Sequence, residues 1–240
     1  PPHSTAWSQS KAKMPPISPA AQPDTGNSSP GRVAKKAAPF GFQPEPLVAA
    51  VWKGTKAMVK NDGTETNDKR FWDTFAGEMG EEVLQLRPVF DGFYANEFHG
   101  AKAACGENPL ARRAIDGLKA KGYDVVLATN PIFPAVATES RIRWAGLEPE
   151  DFTWYTTYEN IGYSKPNPAY YQHILTRLGA QAEDCLMVGN DVDEDMGAAQ
   201  QAGLSVFLLT DCLINREGKD ITPYPQGDFD ALMGFVQSWA

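Results

Sequence analysis

The chain of 240 residues has no apolar run long enough to cross a bilayer. Stretches such as residues 125–128 and 206–209 are far shorter than the roughly 20 apolar residues that a membrane-spanning helix requires. The sequence also lacks an excess of basic residues, because 22 Lys and Arg stand against 30 Asp and Glu and the formal net charge is −8. No basic field therefore attracts nucleic acid or anionic lipid. We expect neither a membrane nor nucleic acid as a partner.

Cysteine is scarce as well. The three cysteines, Cys105, Cys185 and Cys212, are an odd number and show no C-x-x-C spacing. This pattern favours neither a disulfide framework nor a zinc site built from thiolates. The expected compartment is the cytoplasm, where thiols stay reduced.

Proline, in contrast, is abundant in residues 1–30, which contain seven prolines and few large apolar residues. Proline removes a backbone donor and blocks helix interiors, so we expect a disordered or aberrant lead with no buried strand. The lead also lacks the apolar segment of a secretory signal. In the rest of the chain, apolar residues are plentiful enough for a core with a smaller lobe, since they make up 42% of the whole sequence.

Two regions with different periodicity follow the lead. Residues 31–105 show apolar stripes at helical spacing, for example Phe71, Trp72, Phe75 and Met79 before Gly80, and we predict that this region is helical. Residues 106–240 alternate between helical stripes and short apolar strands. Such alternation predicts an α/β fold with a parallel sheet and helices on both faces. In this architecture ligands bind at the carboxyl ends of the strands.

Polar side chains follow the predicted strands at that edge. Thr129 and Asn130 come directly after residues 125–128, and Lys165 lies in a proline-rich loop before a helix start. Taken separately, Thr-Asn is a common turn former and Lys165 is a candidate solvated lysine. Neither feature indicates a site by itself.

An acidic cluster follows another predicted strand. Residues 189–195 read GNDVDED, and a helix beginning there would place Asp191 and Asp195 on one face. Crowded carboxylates repel one another and are tolerated best around a hard divalent cation. The alternative is favourable charge at a helix N-terminus, which explains one or two acids but not the cluster. A calcium hand is excluded because its glycine position holds Met196 and its twelfth position holds Ala202.

Together these strand ends resemble the haloacid dehalogenase superfamily, specifically its phosphatase branch. Residues 127–130 are similar to its second motif, residues 165–168 to its third, and residues 188–195 to its fourth. The resemblance covers the chain from about residue 31 to its end. It implies a Rossmann-like core over residues 106–240 and a helical cap over residues 31–105.

The resemblance also implies a mechanism. In the family, an aspartate on the first strand attacks phosphorus and a second aspartate acts as general acid and base. Thr129 and Asn130 would contact the phosphate or support its loop, and Lys165 would balance the charge on the phosphoryl group and nucleophile. Asp191 and Asp195 would hold Mg²⁺. The substrate would be a small phosphorylated metabolite, and no further cofactor is implied.

The chain departs from the family at its first motif, because no D-x-D-x-T string precedes the cap. Residues 60–64 (KNDGT) supply only its ending, and residues 24–26 (DTG) lie among prolines without a flanking apolar strand. A frame error, truncation or replacement within residues 1–30 is our hypothesis for this departure.

Two functional hypotheses remain. The first is a magnesium-dependent phosphate monoester hydrolase that works through an aspartyl-phosphate and is impaired in this chain. The second is a non-catalytic protein of the same fold that binds phosphate and metal. A receiver domain fits less well, because the predicted cap is too large and the acidic cluster comes too late in the chain. Oligomeric state has no sequence signal.

Overall fold

The computed structural model describes residues 4–7, 29–104 and 109–238. Six parallel strands form one sheet in the order β3-β2-β1-β4-β5-β6. The strands are β1 (Ser4–Trp7), β2 (Asp124–Leu127), β3 (Trp154–Tyr155), β4 (Cys185–Gly189), β5 (Ser205–Leu209) and β6 (Gln226–Gly227). The helices are α1 (Ser29–Ala37), α2 (Pro44–Val59), α3 (Asn67–Met79), α4 (Arg87–Ala95), α5 (Pro109–Ala120), α6 (Ala135–Trp144), α7 (Pro168–Leu178), α8 (Ala198–Gln201) and α9 (Phe229–Ser238).

The sheet separates two apolar cores, because successive strand residues point to opposite faces. Val125 and Leu127 of β2 pack with α5, α6 and α9 on one face. Val126, from the same strand, packs with α7 and α8 on the other face. The predicted α/β fold with helices on both faces is confirmed.

A third core lies within the helices that precede α5. Phe71, Trp72 and Phe75 of α3 pack against Phe90 of α4, with ring centroids 5.1 to 6.1 Å apart. This core reaches the sheet domain through buried Trp144 of α6. The helical cap predicted from these stripes is therefore present. The predicted boundary between cap and core falls within residues 105–108, which lie outside the described residues.

The centre of the sheet corrects the sequence prediction. Ser4–Trp7 forms β1 between β2 and β4, with Ser4 opposite Asp124 and Cys185. The prediction that the first thirty residues supply no strand is therefore wrong for residues 4–7. Four residues are too few to show alternation, and their strand conformation depends on pairing with β2 and β4, whose residues are distant in the sequence. Residues 29–30 of the predicted lead begin α1, so they are helical and not disordered, and residues 1–3 and 8–28 lie outside the described residues.

The chain contains no helix, within residues 29–104 and 109–238, that is both long and apolar enough to cross a membrane.

Candidate active site at the carboxyl edge of the sheet

Lys165 and Asp195 form a buried ion pair at this edge. Lys165 Nζ donates to Asp195 Oδ1 at 2.6 Å, and their side chains are only 1% and 2% exposed. Asp195 Oδ2 accepts from the backbone N–H groups of Asn190 and Asp191 at 3.0 and 3.1 Å. The interpretation of Lys165 as a solvated side chain is wrong, because the loop before α7 directs its ammonium inward.

Gly189 is required by the position of that carboxylate. A Cβ atom at Gly189 would lie 2.3 Å from Asp195 Oδ2 and 2.4 Å from its Cγ. The end of β4 therefore has room for Asp195 only because residue 189 has no side chain. This close approach of Asp195 explains why position 189, in the sequence GND, is glycine.

Asp191 begins the next turn but has different partners from Asp195. Its Oδ1 accepts from the N–H groups of Asp193 and Glu194, both at 3.0 Å, so it caps a π-helical turn, Val192–Gly197. Its Oδ2 accepts from Arg216 Nη1 at 2.7 Å. A helical turn does begin after Asp191, and it is π-helical, a form often found at functional sites.

Thr129 lies at the end of β2 in a buried network of hydroxyl groups. Its Oγ1 donates to Thr156 O at 3.0 Å, and its N–H donates to Thr156 Oγ1 at 3.0 Å. The Tyr170 hydroxyl donates to Thr129 O at 2.6 Å. A threonine hydroxyl has one proton to donate, so Thr129 can donate to a phosphate only after turning away from Thr156.

Asn130 brings the end of β2 to the acidic turn. Its Nδ2 lies 3.4 Å from Glu194 Oε2, while its buried Oδ1 has no hydrogen-bond partner within the described part of the chain. Burial raises the pKa of Glu194, and Asp191 and Asp195 raise it further, while Lys165 opposes the shift. Asn130 therefore has a buried oxygen without a hydrogen-bond donor among the described residues, and the Glu194 carboxylate carries a charge that burial disfavours.

These oxygens decide how well a divalent cation fits. No three His, Cys, Asp or Glu side chains converge on one metal-sized position among the residues described. Within the described ranges, Asp195 is engaged on both oxygens, whereas Asp191 Oδ2 contacts only the half-exposed Arg216 and Asn130 Oδ1 has no partner. An oxygen set of this kind suits Mg²⁺, which prefers carboxylate and carbonyl ligands and retains several waters. Asp191 Oδ2 and Asn130 Oδ1 are therefore the oxygens of this edge that could hold such an ion.

The cap reaches this edge through Asn67, the first residue of α3. Asn67 Nδ2 lies 3.0 Å from Pro131 O, in the loop after Asn130, and 3.2 Å from Ser164 Oγ, beside Lys165. Asn67 itself is fully buried. The cap is thus hydrogen-bonded to the loops that carry two of the predicted motifs.

Sequence reasoning missed three contributors to the site. Tyr170 and Thr156 fix the loop of Thr129, and Arg216 pairs with Asp191. Tyr170 follows Lys165 by five residues on an apolar helix face, so its pattern is that of a core residue. Arg216 follows β5 in a polar loop and had no signal in the sequence.

Comparison with known proteins identifies the family of the chain. The profile of haloacid dehalogenase-like hydrolases matches residues 32–203, well over half of the chain. The chain belongs to the haloacid dehalogenase-like hydrolases. The match includes the residues around Thr129, Lys165 and Asp191 and leaves β1 outside it.

Curated relatives of this haloacid dehalogenase-like chain include phosphatases. A glyceraldehyde 3-phosphate phosphatase of Methanothermobacter thermautotrophicus is 30% identical over 152 residues, which cover 60% of this chain and 64% of the relative. A phosphoglycolate phosphatase of Yersinia pestis is 30% identical over 128 residues, covering 53% of this chain and 52% of the relative. The chain thus matches about half to two thirds of the length of these relatives.

Solved structures share the fold over more of the chain. A 2-haloacid dehalogenase from Pseudomonas syringae pv. Tomato DC3000 covers 100% of both chains with a TM-score of 0.60 and 19% identity. A haloacid dehalogenase-type phosphatase from Thermococcus onnurineus covers 97% of both chains with a TM-score of 0.51 and 14% identity. At these identities the likeness concerns the fold alone.

Proposed function

We propose that the chain is a phosphatase-type member of its family that takes a small phosphorylated metabolite, with Mg²⁺, at the carboxyl edge of the sheet. The observation that carries this proposal is the buried Lys165–Asp195 pair, whose Asp195 also accepts from the Asp191 N–H. Asn130 reaches Glu194 of the same acidic turn. A fixed ammonium group at the carboxyl edge of the sheet is suited to balancing phosphoryl charge. The phosphatase relatives support the same class of substrate.

Each side chain has a proposed task. Lys165 supplies positive charge, and Asp195 holds its ammonium through Oδ1 while two backbone N–H groups fix Oδ2. The Asn130 amide can orient a phosphate oxygen, whereas Thr129 can contribute only after its hydroxyl rotates. Asp191 would hold Mg²⁺, which when bound would neutralise charge on the phosphoryl group. The prediction that Asp195 is a second metal ligand remains a prediction, and its existing contacts favour the positioning task.

A second candidate, non-catalytic binding of phosphate and metal, is favoured by β1. The strand Ser4–Trp7 contains no carboxylate, and Ser8, Gln9 and Ser10 follow it in the sequence. Losing the nucleophile of a covalent mechanism costs several orders of magnitude in rate. We therefore expect binding without detectable turnover from the chain as it stands.

The test measures binding and turnover together. Inorganic phosphate with Mg²⁺ should raise the melting temperature of the wild-type chain, and Asp191→Asn should abolish the part that depends on Mg²⁺. Hydrolysis of p-nitrophenyl phosphate should be absent from the wild type and gained by a Ser8→Asp/Ser10→Asp variant, which restores the D-x-D spacing after β1.

A Ser8→Asn/Ser10→Asn variant is the matched control, since it is similar in size but has no nucleophilic carboxylate. No response to phosphate or Mg²⁺ in any variant would refute the proposed site. Binding by the wild type and by both Ser8/Ser10 variants, with no gain of hydrolysis, would favour the non-catalytic candidate.

A further inference from the structure

The loop between β5 and β6 is fixed against the end of β4. Ile214 forms a parallel bridge with Asp191, through Val192 N–H to Ile214 O at 3.0 Å and Ile214 N–H to Asn190 O at 2.8 Å. Asn190 Nδ2 also donates to Cys212 O at 2.7 Å. Residues 212–214 therefore have a defined position beside the acidic turn, and the side chains that follow them are presented to it.

Arg216, two residues farther along, contacts Asp191 asymmetrically. Its Nη1 lies 2.7 Å from Asp191 Oδ2, yet the arginine side chain is 50% exposed while the aspartate side chain is 5% exposed. The carboxylate is held by two backbone N–H groups as well, whereas the guanidinium extends into solvent. Arg216 can thus leave Asp191 without losing its hydration, and Asp191 cannot follow it.

Two neighbouring lysines, Lys165 and Lys219, differ from Arg216 in burial or in their partners. Lys165 and Asp195 are both buried, so neither can exchange its partner for a solute without exposing a buried charge. Lys219 lies on the same loop as Arg216, but it pairs with Asp193 and Glu217 and not with Asp191. Of these three cations, only Arg216 is exposed and paired with a buried acid of the proposed metal site.

We propose that Arg216 is an exchangeable counter-ion of Asp191: a divalent cation displaces it from Oδ2, and the released guanidinium then binds the anionic group of the substrate. This inference rests on the proposed function, because it takes Asp191 as the metal ligand. Arg216 thereby couples binding of the divalent cation to binding of the substrate's anionic group. Without metal, the Arg216 guanidinium is held by the Asp191 carboxylate. With metal bound, the guanidinium is available for a phosphate or carboxylate group, which guanidinium groups bind well.

The first experiment titrates MgCl₂ into wild type, Arg216→Gln, Lys219→Gln and Asp191→Asn by calorimetry. Removing a competing exposed cation should tighten Mg²⁺ binding in Arg216→Gln by about two- to fivefold, in proportion to the modest strength of such pairs. Lys219→Gln, which removes the same charge from the same loop, should change the affinity less than Arg216→Gln does. Asp191→Asn should lose the response. Far-UV circular dichroism without Mg²⁺ checks that each variant is folded.

The second experiment measures the affinity for inorganic phosphate with and without saturating Mg²⁺. Arg216→Gln should weaken phosphate binding only when Mg²⁺ is present, because only then is the arginine released in the wild type. Equal tightening of Mg²⁺ binding by Arg216→Gln and Lys219→Gln, or phosphate affinities that do not depend on Arg216, would overturn this inference and leave the proposed function standing. If neither wild type nor Arg216→Gln binds Mg²⁺, the proposed metal site itself is refuted.

Discussion

Replacing Lys165 by methionine should expose how strongly the site depends on its buried ion pair. Methionine fits the same unbranched space but leaves the Asp195 carboxylate without its cation. Breaking a buried pair by removing one partner typically costs about 3 to 5 kcal/mol, because an uncompensated charge stays in the interior. Asp195 keeps its two backbone donors, so we expect Lys165→Met to lie toward the lower end, at about 3 kcal/mol.

A double-mutant cycle separates the interaction energy of the Lys165–Asp195 pair from the effect of changed side-chain packing. Asp195→Asn retains an oxygen that can accept from the same two backbone N–H groups and removes the charge. The double variant Lys165→Met/Asp195→Asn should therefore be more stable than Lys165→Met alone, with an interaction energy of about 1 to 3 kcal/mol. The free energy of unfolding is measured by urea denaturation, with tryptophan fluorescence and far-UV circular dichroism as independent probes.

An exposed pair supplies the control. Arg143 Nε lies 3.3 Å from Glu148 Oε2, and the two side chains are 49% and 63% exposed. Arg143→Met should lower the free energy of unfolding by less than about 1 kcal/mol. If Lys165→Met costs no more than this control, the Lys165–Asp195 pair is solvated, and the argument that the site depends on a buried ammonium is wrong.

Three further changes test other contacts. Gly162→Ala would place a Cβ 2.2 Å from a backbone oxygen of the cap, so it should lower the melting temperature by several degrees in thermal unfolding, and no decrease would show that the cap shifts freely. Tyr170→Phe removes the hydroxyl that donates to Thr129 O and should cost about 1 kcal/mol in urea unfolding, and an unchanged midpoint would contradict the network. Burial raises the pKa of Glu194, so ionising this carboxyl destabilises the folded chain as pH rises. With a chelator present, Glu194→Gln should therefore raise the free energy of unfolding at pH 7 and lose that advantage near pH 4. The exposed control Glu183→Gln should show no such trend.

Periodicity alone was sufficient to predict most elements of the fold. The stripe of Phe71, Trp72 and Phe75 before Gly80 predicted α3, because apolar spacing and a glycine stop are local properties of the chain. The apolar run before Thr129 predicted β2 in the same way. The order of motifs along the chain also indicated the family, which the profile match over residues 32–203 confirms.

Only the tertiary structure decided what surrounds those residues. Ser4–Trp7 became the central strand through partners more than a hundred residues away, a pairing that its own composition does not encode. Asp191 and Asp195, four residues apart, received an exposed arginine and a buried lysine because separate loops approach them from different sides. Local patterns determine helices and strands, whereas the charge and burial of a side chain depend on which distant segments fold against it.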